Sequence, residues 1–236
     1  MSVTGEPSGA PVKCGVPLSD FASGLYAAFS IAAMLVHVRS GGRGAHIDIP
    51  MFGCTLGIAA LQTSEYFGNG RSPVKLGSAH PRNAPYQAFQ AQDGYFAIAA
   101  GNHKLWLDVL RVVDLPALAE DPRFISTTDR AHNQEALKQL LEAVFTRQPV
   151  AHWIAAFNDA GVPHARINDY AAALSDPQTA HMGWVQPLEL PDGQLTRTFG
   201  SPVRLNGKGF PIRRSPPALG QHSDEIRAEY AQKEGS

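Results

Sequence analysis

The amino-acid sequence predicts an α/β protein, and three kinds of segment lead to that prediction. Residues 20–39 lack proline and are rich in alanine and leucine, which favours a helix, and the glycines of residues 40–44 end it. Residues 46–51 alternate apolar and polar side chains, which is typical of a short strand. Residues 133–147 carry leucines at helical spacing and form the clearest amphipathic helix.

The other segments continue this mixture of helices and strands. The Asp93-Gly94 pair predicts the turn of a hairpin, and Asn102 is placed to cap a helix. A second hairpin is expected around residues 191–193, and Ser223 opens a terminal helix with acidic residues in its first turn. The remaining predicted elements are helices over residues 52–66, 103–113 and 150–160 and a strand over residues 163–167.

Composition excludes several classes of function. The 236 residues carry a formal net charge of −1, and no basic stretch is dense enough to neutralise a run of phosphates, so nucleic acid is not an expected partner. None of the nine histidines has the i, i+4 pairing with an adjacent glutamate that zinc sites use, so no metal is expected. Two cysteines cannot form a disulfide framework, which suits a reducing cytoplasm.

The chain is expected to act away from membranes. Its first fifteen residues lack the apolar core of a signal peptide, so we expect cytoplasmic localisation. Residues 21–38 approach the length of a membrane span, but alanine supplies much of their bulk, and serines, a glycine and His37 interrupt them. We therefore predict a buried helix and not a span.

Asp20 is the most informative polar residue. It lies in PLSDFASG, where a loop enters an apolar helix, so its carboxylate can accept backbone N–H bonds and interact with the positive end of the helix dipole. Both effects favour the anion, which is the nucleophilic form. A plain capping aspartate is the alternative interpretation.

Several motifs in order resemble one family. SDFASGLYAAFSIAAMLVHVRSGGRGAHIDIPMF is similar to the segment in which a nucleophilic aspartate opens a small-residue helix of class III coenzyme A transferases, the CaiB/BaiF family. The likeness continues through HPRNAPYQAFQAQDGYFAIAAGNHKLW, EDPRF, TTDRAHNQE, GVPHARIND, SDPQ and PPALGQHSDEI, and covers nearly the whole chain.

The resemblance implies a fold and a domain plan. We expect part of a Rossmann-like large domain plus a smaller α+β domain, joined by long linkers. Residues 1–70 would be the remainder of the large domain with the catalytic aspartate, 71–85 a linker, 86–185 the small domain and 186–236 a return segment. The family's amino-terminal region, which holds most contacts to coenzyme A, has no counterpart in this sequence.

The resemblance also implies a chemistry. Asp20, a buried acid, would be acylated by a thioester, with the backbone N–H groups of Phe21 and Ala22 as oxyanion donors. A mobile family loop corresponds to residues 76–81, so Gly77, Ser78, Ala79 and His80 are expected to contact substrate. A flexible linker is the alternative for this loop.

Substrates, partners and rival functions follow from the same likeness. An acyl-CoA and a carboxylic acid are the expected substrates, with no permanently bound cofactor. The chain is expected to form a homodimer, or a complex with a chain that supplies the missing CoA-binding half. Without a partner it is expected to be marginally stable. The alternatives are an acyl-CoA racemase or isomerase of the same family and a non-catalytic remnant.

Overall fold

A computed structural model describes residues 1–234, and contacts between residues divide the chain into two units. The first unit is Met1–Arg166 and the second begins at Ile167. The first unit contains seven α-helices and three strands in the order α1 (Leu18–Arg39), α2 (Met51–Ile58), α3 (Ala60–Asn69), β1 (Tyr86–Gln90), β2 (Tyr95–Ala99), α4 (His103–Val113), α5 (Thr127–His132), α6 (Gln134–Phe145), α7 (Val150–Ala160) and β3 (His164–Arg166).

The three strands form one antiparallel sheet in the order β1-β2-β3. The predicted hairpin is confirmed, with Phe89 opposite Phe96 and a hydrogen bond from the Ala91 N–H to the Gly94 carbonyl (2.8 Å) closing its turn. Helices α6 and α7 pack against this sheet because their apolar faces need a surface that excludes water. The mixture of helix and strand confirms the predicted fold class.

Aromatic side chains fill the space between the sheet and the helices. The Phe145 ring is fully buried and meets Phe89, Phe96 and Trp153 at centroid distances of 5.0–5.3 Å, with interplanar angles of 69–78°. Such edge-to-face pairs add to the gain from burying their large apolar surface. Most of the buried hydrophobic residues of the described chain belong to this one cluster, which spans residues 84–162.

Arg130 is completely buried within the same unit. Its guanidinium donates to the carbonyls of Ala84 (2.9 Å), Phe124 (2.9 Å) and Ile125 (3.2 Å) and to the Thr127 hydroxyl (3.1 Å). Burial lowers the pKa of Arg130, and the neighbouring Asp129 carboxylate acts in the opposite direction. The arginine that marks the family motif is thus a hydrogen-bonded connection between the end of the predicted linker and the core.

Helix α1 differs from the expectation of a buried helix. Ala22 is its one buried residue, whereas Phe21, Leu25 and Phe29 are each more than half exposed. The helix is long and apolar enough to cross a membrane. Within the described residues, only 6% of its apolar 18-residue window is buried. The prediction of burial was wrong for the described residues because only α2 packs closely along this helix.

Two other predictions for this region fail. Residues 46–51 form no strand, since no described segment pairs with them, and Met51 instead begins α2. The single helix expected over 52–66 is two helices, which meet at Ala59. The predicted domain boundaries, at 71–85 and after 185, stay predictions.

The second unit has its own short elements. They are α8 (Tyr170–Leu174), α9 (Pro177–Met182), β4 (Val185–Glu189), β5 (Leu195–Phe199), β6 (Arg204–Leu205), β7 (Lys208–Gly209) and α10 (Ser223–Glu234). The predicted second hairpin is confirmed as the antiparallel pair β4-β5, and Ser223 begins α10 as expected. Thr179 is the one described residue of this unit that is buried.

Candidate active site

Asp20 lies in the first turn of α1, two residues after the helix begins. Pro17 occupies the capping position and provides no side-chain cap, so Asp20 is not itself the N-cap residue that the sequence suggested. Its side chain is exposed and makes no hydrogen bond to any described residue, which corrects the expectation of a buried acid. An unpaired carboxylate near the positive end of a helix remains available as a nucleophile.

Backbone N–H groups without a backbone partner are present at this helix end, but they do not belong to Phe21 and Ala22, the expected donors. The Phe21 N–H donates to the Pro17 carbonyl (3.1 Å), and helical geometry assigns the Ala22 N–H to Leu18. The N–H groups of Ser19 and Asp20 have no backbone partner among the described residues. A helix start leaves such N–H groups free for an anion.

A cleft of about 550 Å³ opens beside Asp20. Besides the start of α1, its lining residues come from the amino-terminal segment and from α2 and α3; they include Val3, Lys13, Cys14, Thr55, Ile58 and Gln62. No sequence pattern predicts the contribution of the amino-terminal segment, because a polar segment rich in glycine and proline carries no periodic pattern. Lys13 is the one cationic side chain among the lining residues.

Two contacts between α1 and α2 hold one wall of this cleft. The Thr55 hydroxyl lies 3.0 Å from that of Ser19, directly before Asp20. Farther along, Gly57 of α2 faces Tyr26 of α1, and a Cβ added at Gly57 would lie 2.6 Å from the Tyr26 hydroxyl oxygen. A side chain at position 57 would therefore require the Tyr26 side chain to move or the two helices to separate.

Several hydrogen bonds fix the position of the loop that contains Gly77, Ser78, Ala79 and His80. The Gly77 N–H donates to the Gly5 carbonyl (3.0 Å), and the Ser78 hydroxyl accepts from the Ala88 N–H (3.1 Å). The Ala79 N–H closes a turn onto Leu76 (2.9 Å). Gly77 adopts a φ of 61°, which favours glycine.

His80 is held by its ring. The imidazole stacks on Tyr86 with centroids 5.0 Å apart, and its Nδ1 accepts from the Arg82 N–H (3.1 Å). Burial lowers the pKa of His80, and the charge of Arg82 lowers it further. Both effects favour the neutral form of the ring.

The structure places this loop beside the Asp20 cleft and not in it. Gly77 and Ala79 line a second cleft of about 240 Å³, which shares Val3 and Gln62 with the first. Ser78 lines a third cleft of about 580 Å³, and His80 lines none of the clefts described here. Among the residues that the structure describes, no three His, Cys, Asp or Glu side chains cluster as metal ligands would.

Comparison with known proteins identifies the family. A family model described as CoA-transferase family III matches residues 1–223. The chain belongs to this family. The acetyl-CoA:oxalate CoA-transferase of Acetobacter aceti is 36% identical over 99% of the chain and 59% of its own length. The human succinyl-CoA:glutarate CoA-transferase is 32% identical over 97% of the chain and 52% of its own length.

Solved structures agree with this assignment to CoA-transferase family III. The crystal structure of a CaiB/BaiF family protein from Brucella suis has a TM-score of 0.77 and 35% identity, and it is matched over 97% of this chain and 59% of that one. The predicted family is thereby confirmed, as is a fold that forms part of the family fold. This chain spans between half and three fifths of the length of these relatives.

Proposed function

We propose that this chain carries the acyl-accepting carboxylate of an enzyme that transfers coenzyme A between carboxylic acids, with Asp20 as nucleophile. The observation that carries the proposal is an unpaired carboxylate in the first turn of α1, at the edge of a cleft, in a chain of CoA-transferase family III. The named relatives are transferases that act on CoA thioesters of small acids, which supports the same reaction type here.

The proposed reaction proceeds by successive acyl exchanges at two carbonyls, that of the substrate thioester and that of Asp20. An Asp20 oxygen attacks the thioester carbonyl of the acyl-CoA, the C–S bond breaks, and CoA leaves as the thiolate. That thiolate attacks the aspartyl carbonyl of the resulting anhydride, which releases the first acid as its carboxylate and leaves an aspartyl-CoA thioester. A second carboxylate then repeats these steps in reverse, so Asp20 is regenerated and no external energy source is needed.

The developing negative charge needs donors near Asp20. The N–H groups of the expected donors, Phe21 and Ala22, already donate to carbonyls of the helix and its cap. They would have to bind the oxyanion in addition. The free N–H groups of Ser19 and Asp20 are better suited, since they have no backbone partner to give up. We therefore propose that the N–H groups of Ser19 and Asp20 in the first turn of α1 supply the oxyanion donors, two residues earlier than the sequence suggested.

The contribution of the Gly77–His80 loop stays a prediction. Its bonds to Gly5 and Ala88 hold it next to the neighbouring cleft, so contact with a substrate on Asp20 would require those bonds to change. A loop that closes there would exclude the water that hydrolyses an anhydride.

The proposed enzyme also needs a further polypeptide surface. The exposed apolar side chains of α1 and α2, among them Phe21, Leu25, Phe29 and Phe52, would be unusual on a solvated surface. We propose that a second copy of the chain, or a chain carrying the CoA-binding half, covers them. The reaction is placed in the cytoplasm, which the unpaired Cys14 and Cys54 support.

Trapping the intermediate tests the nucleophile. The chain, together with any partner chain, is incubated with an acyl-CoA and hydroxylamine, and peptides are examined by mass spectrometry for a hydroxamate at Asp20. Asp20→Asn should abolish both the hydroxamate and CoA exchange, whereas Asp48→Asn, at an exposed residue outside the cleft, should leave both unchanged.

Three outcomes separate the alternatives. CoA exchange at an undiminished rate in Asp20→Asn would refute the proposal. Deuterium entering the α-carbon of the acyl group without a trapped hydroxamate would favour the racemase. Absence of both reactions in the reconstituted protein would favour a remnant that has lost its chemistry.

A further inference from the structure

The amino-terminal segment, residues 1–16, forms part of the Asp20 cleft although it contains no helix or strand. Its lining residues lie on both sides of its middle, with Val3 before it and Lys13 and Cys14 after it. A segment without regular structure keeps one position only where other parts of the protein hold it. The shape of this cleft wall therefore depends on the contacts that fix the segment.

Few hydrogen bonds join this segment to the rest of the chain that the structure describes. Apart from a bond at the start of α1, the donors are Lys75 and Gly77 alone. The Gly77 N–H donates to the Gly5 carbonyl (3.0 Å). The Lys75 ammonium donates to the Gly9 carbonyl and to the Ala10 carbonyl, the latter at 3.0 Å. All three carbonyls belong to the middle of the segment, between the two groups of lining residues.

The lysine side chain suits this arrangement. An ammonium has three N–H donors and no acceptor, and hydrogen bonds from a charged donor are roughly twice as strong as those between neutral groups. Lys75 is half-buried, and no carboxylate of the described residues pairs with it. Its Cδ lies 3.8 Å from the position that a Cβ would take at Gly5. The stem thus covers the same segment whose carbonyls accept from the ammonium.

The middle of the segment folds back on itself. Val12 lies over Gly5, where an added Cβ would approach the Val12 Cγ2 atom to 2.7 Å. The Gly9 N–H donates to the Glu6 carbonyl (2.9 Å), which closes a turn between them. Because residues 5–12 form one compact turn, release of its carbonyls would shift both groups of residues that line the cleft.

From these contacts we propose that Lys75 is a positioning residue, which holds the carbonyls of Gly9 and Ala10 and thereby fixes the amino-terminal wall of the cleft relative to Asp20. Lys75 does not line this cleft, so it acts through the segment and not on an acyl group bound there. The inference rests on the proposed function for what the cleft binds. The position of the wall itself can be measured without any catalysis.

Alkylation of Cys14 reports the position of the segment. The Cys14 thiol belongs to the cleft wall and is half-buried, whereas Cys54 is buried. The full chain is treated with iodoacetamide at neutral pH, and modification of each cysteine is followed by mass spectrometry. Lys75→Met keeps the stem and removes the ammonium, so alkylation of Cys14 should become about fivefold faster while that of Cys54 stays unchanged.

Two further variants separate the effect of the ammonium from a general surface effect. Lys75→Arg retains a cationic donor on a long stem, so it should restore slow alkylation of Cys14. Lys104→Met removes an exposed lysine that pairs with Asp108 of its own helix, and it should leave the alkylation rate unchanged. All variants should melt within a few degrees of the wild-type chain, because both lysines lie outside the hydrophobic core.

Kinetics of the reconstituted enzyme distinguish positioning from a loss of folded protein. A displaced wall weakens binding of the acyl group in the ground state and the transition state alike. Lys75→Met should therefore raise KM for the acyl-CoA about fivefold and keep kcat within about twofold. A smaller folded fraction would instead lower kcat and leave KM unchanged.

Three results would overturn the inference. They are alkylation of Cys14 at the wild-type rate in Lys75→Met, an equal acceleration in Lys104→Met, and a fall in kcat without a change in KM in Lys75→Met. The proposed function fails separately. Faster alkylation in Lys75→Met without a hydroxamate at Asp20 in the wild-type protein would refute the function alone, and a hydroxamate with unchanged alkylation would refute the inference alone.

Discussion

At the scale of single residues, Arg130 links three backbone carbonyls and a hydroxyl inside the core. Lysine cannot reproduce this planar fork, so Arg130→Lys leaves carbonyls unpaired. We expect a loss of about 3 kcal/mol in the free energy of unfolding, measured by urea denaturation. Arg123→Lys, at an exposed ion pair with Asp121, should cost far less, because solvent screens the pair. Equal losses in both variants would contradict this account.

His80 predicts a dependence of stability on pH. Its pKa in the folded chain is below the ordinary value of 6.5, so the unfolded chain takes up the proton first as the pH falls. The contribution of His80 to stability is therefore fully present above pH 6.5 and is lost as the pH falls from there through the lowered pKa. His80→Gln should reduce the fall in melting temperature between about pH 7.5 and pH 5.5. His103→Gln, at an exposed position, serves as the control, and an unchanged fall in His80→Gln would refute the assignment.

The sequence singled out Asp20 as the candidate nucleophile, but it did not indicate which residues surround that side chain. A loop-to-helix transition within a family motif is local information, so position 20 could be chosen from neighbouring residues alone. Lys13, Thr55 and Gln62 reach the same cleft from separate parts of the chain, and nothing in their local patterns marks them.

At the scale of secondary-structure elements, capping signals gave the most accurate predictions. The Asn102 side chain accepts from the Leu105 N–H (2.9 Å), and α4 begins and ends at the predicted residues. Helix α7 also ends where Gly161 supplies a left-handed backbone. Residues 46–51 failed as a strand because alternation describes a half-buried surface, and that surface requires a partner that the described residues do not provide.

The cap of α4 provides a test at this scale. Asn102→Ala removes the acceptor for a backbone N–H at the helix start, so the free energy of unfolding should fall by about 1 kcal/mol. Asn158→Ala is the control, because Asn158 is an exposed asparagine within α7 that caps no helix start. It should change the free energy of unfolding by less than about 0.5 kcal/mol. Chemical denaturation of the two variants measures the difference.

At the scale of the whole molecule, burial is concentrated in the first unit. All of the buried hydrophobic residues of the described chain lie between Ala22 and Val162. We therefore expect a polypeptide of residues 1–166 to unfold cooperatively, with a melting temperature within a few degrees of that of the full chain. Circular dichroism during heating tests this, and a polypeptide of residues 167–236 is the comparison. Non-cooperative melting of residues 1–166 would contradict it.

The exposed apolar side chains of α1 could not have been anticipated from sequence. Composition predicts that a helix of alanine and leucine is covered, but it does not say which polypeptide covers it. In the described residues α2 is the one element that packs closely along α1. The family assignment thus came from motif order, while the environment of the motif depended on contacts that lie beyond local sequence.

The close approach of Gly57 to Tyr26 has a consequence for enzyme engineering. Gly57 does not line the Asp20 cleft, yet Thr55 and Ile58 on the same helix do. Any side chain at 57 must displace the Tyr26 phenol or separate the two helices, and the nearby wall would shift with them. In the proposed enzyme, a graded series from alanine to valine at this one position would therefore adjust acyl-group selectivity from outside the cavity, without substitution of any residue that lines it.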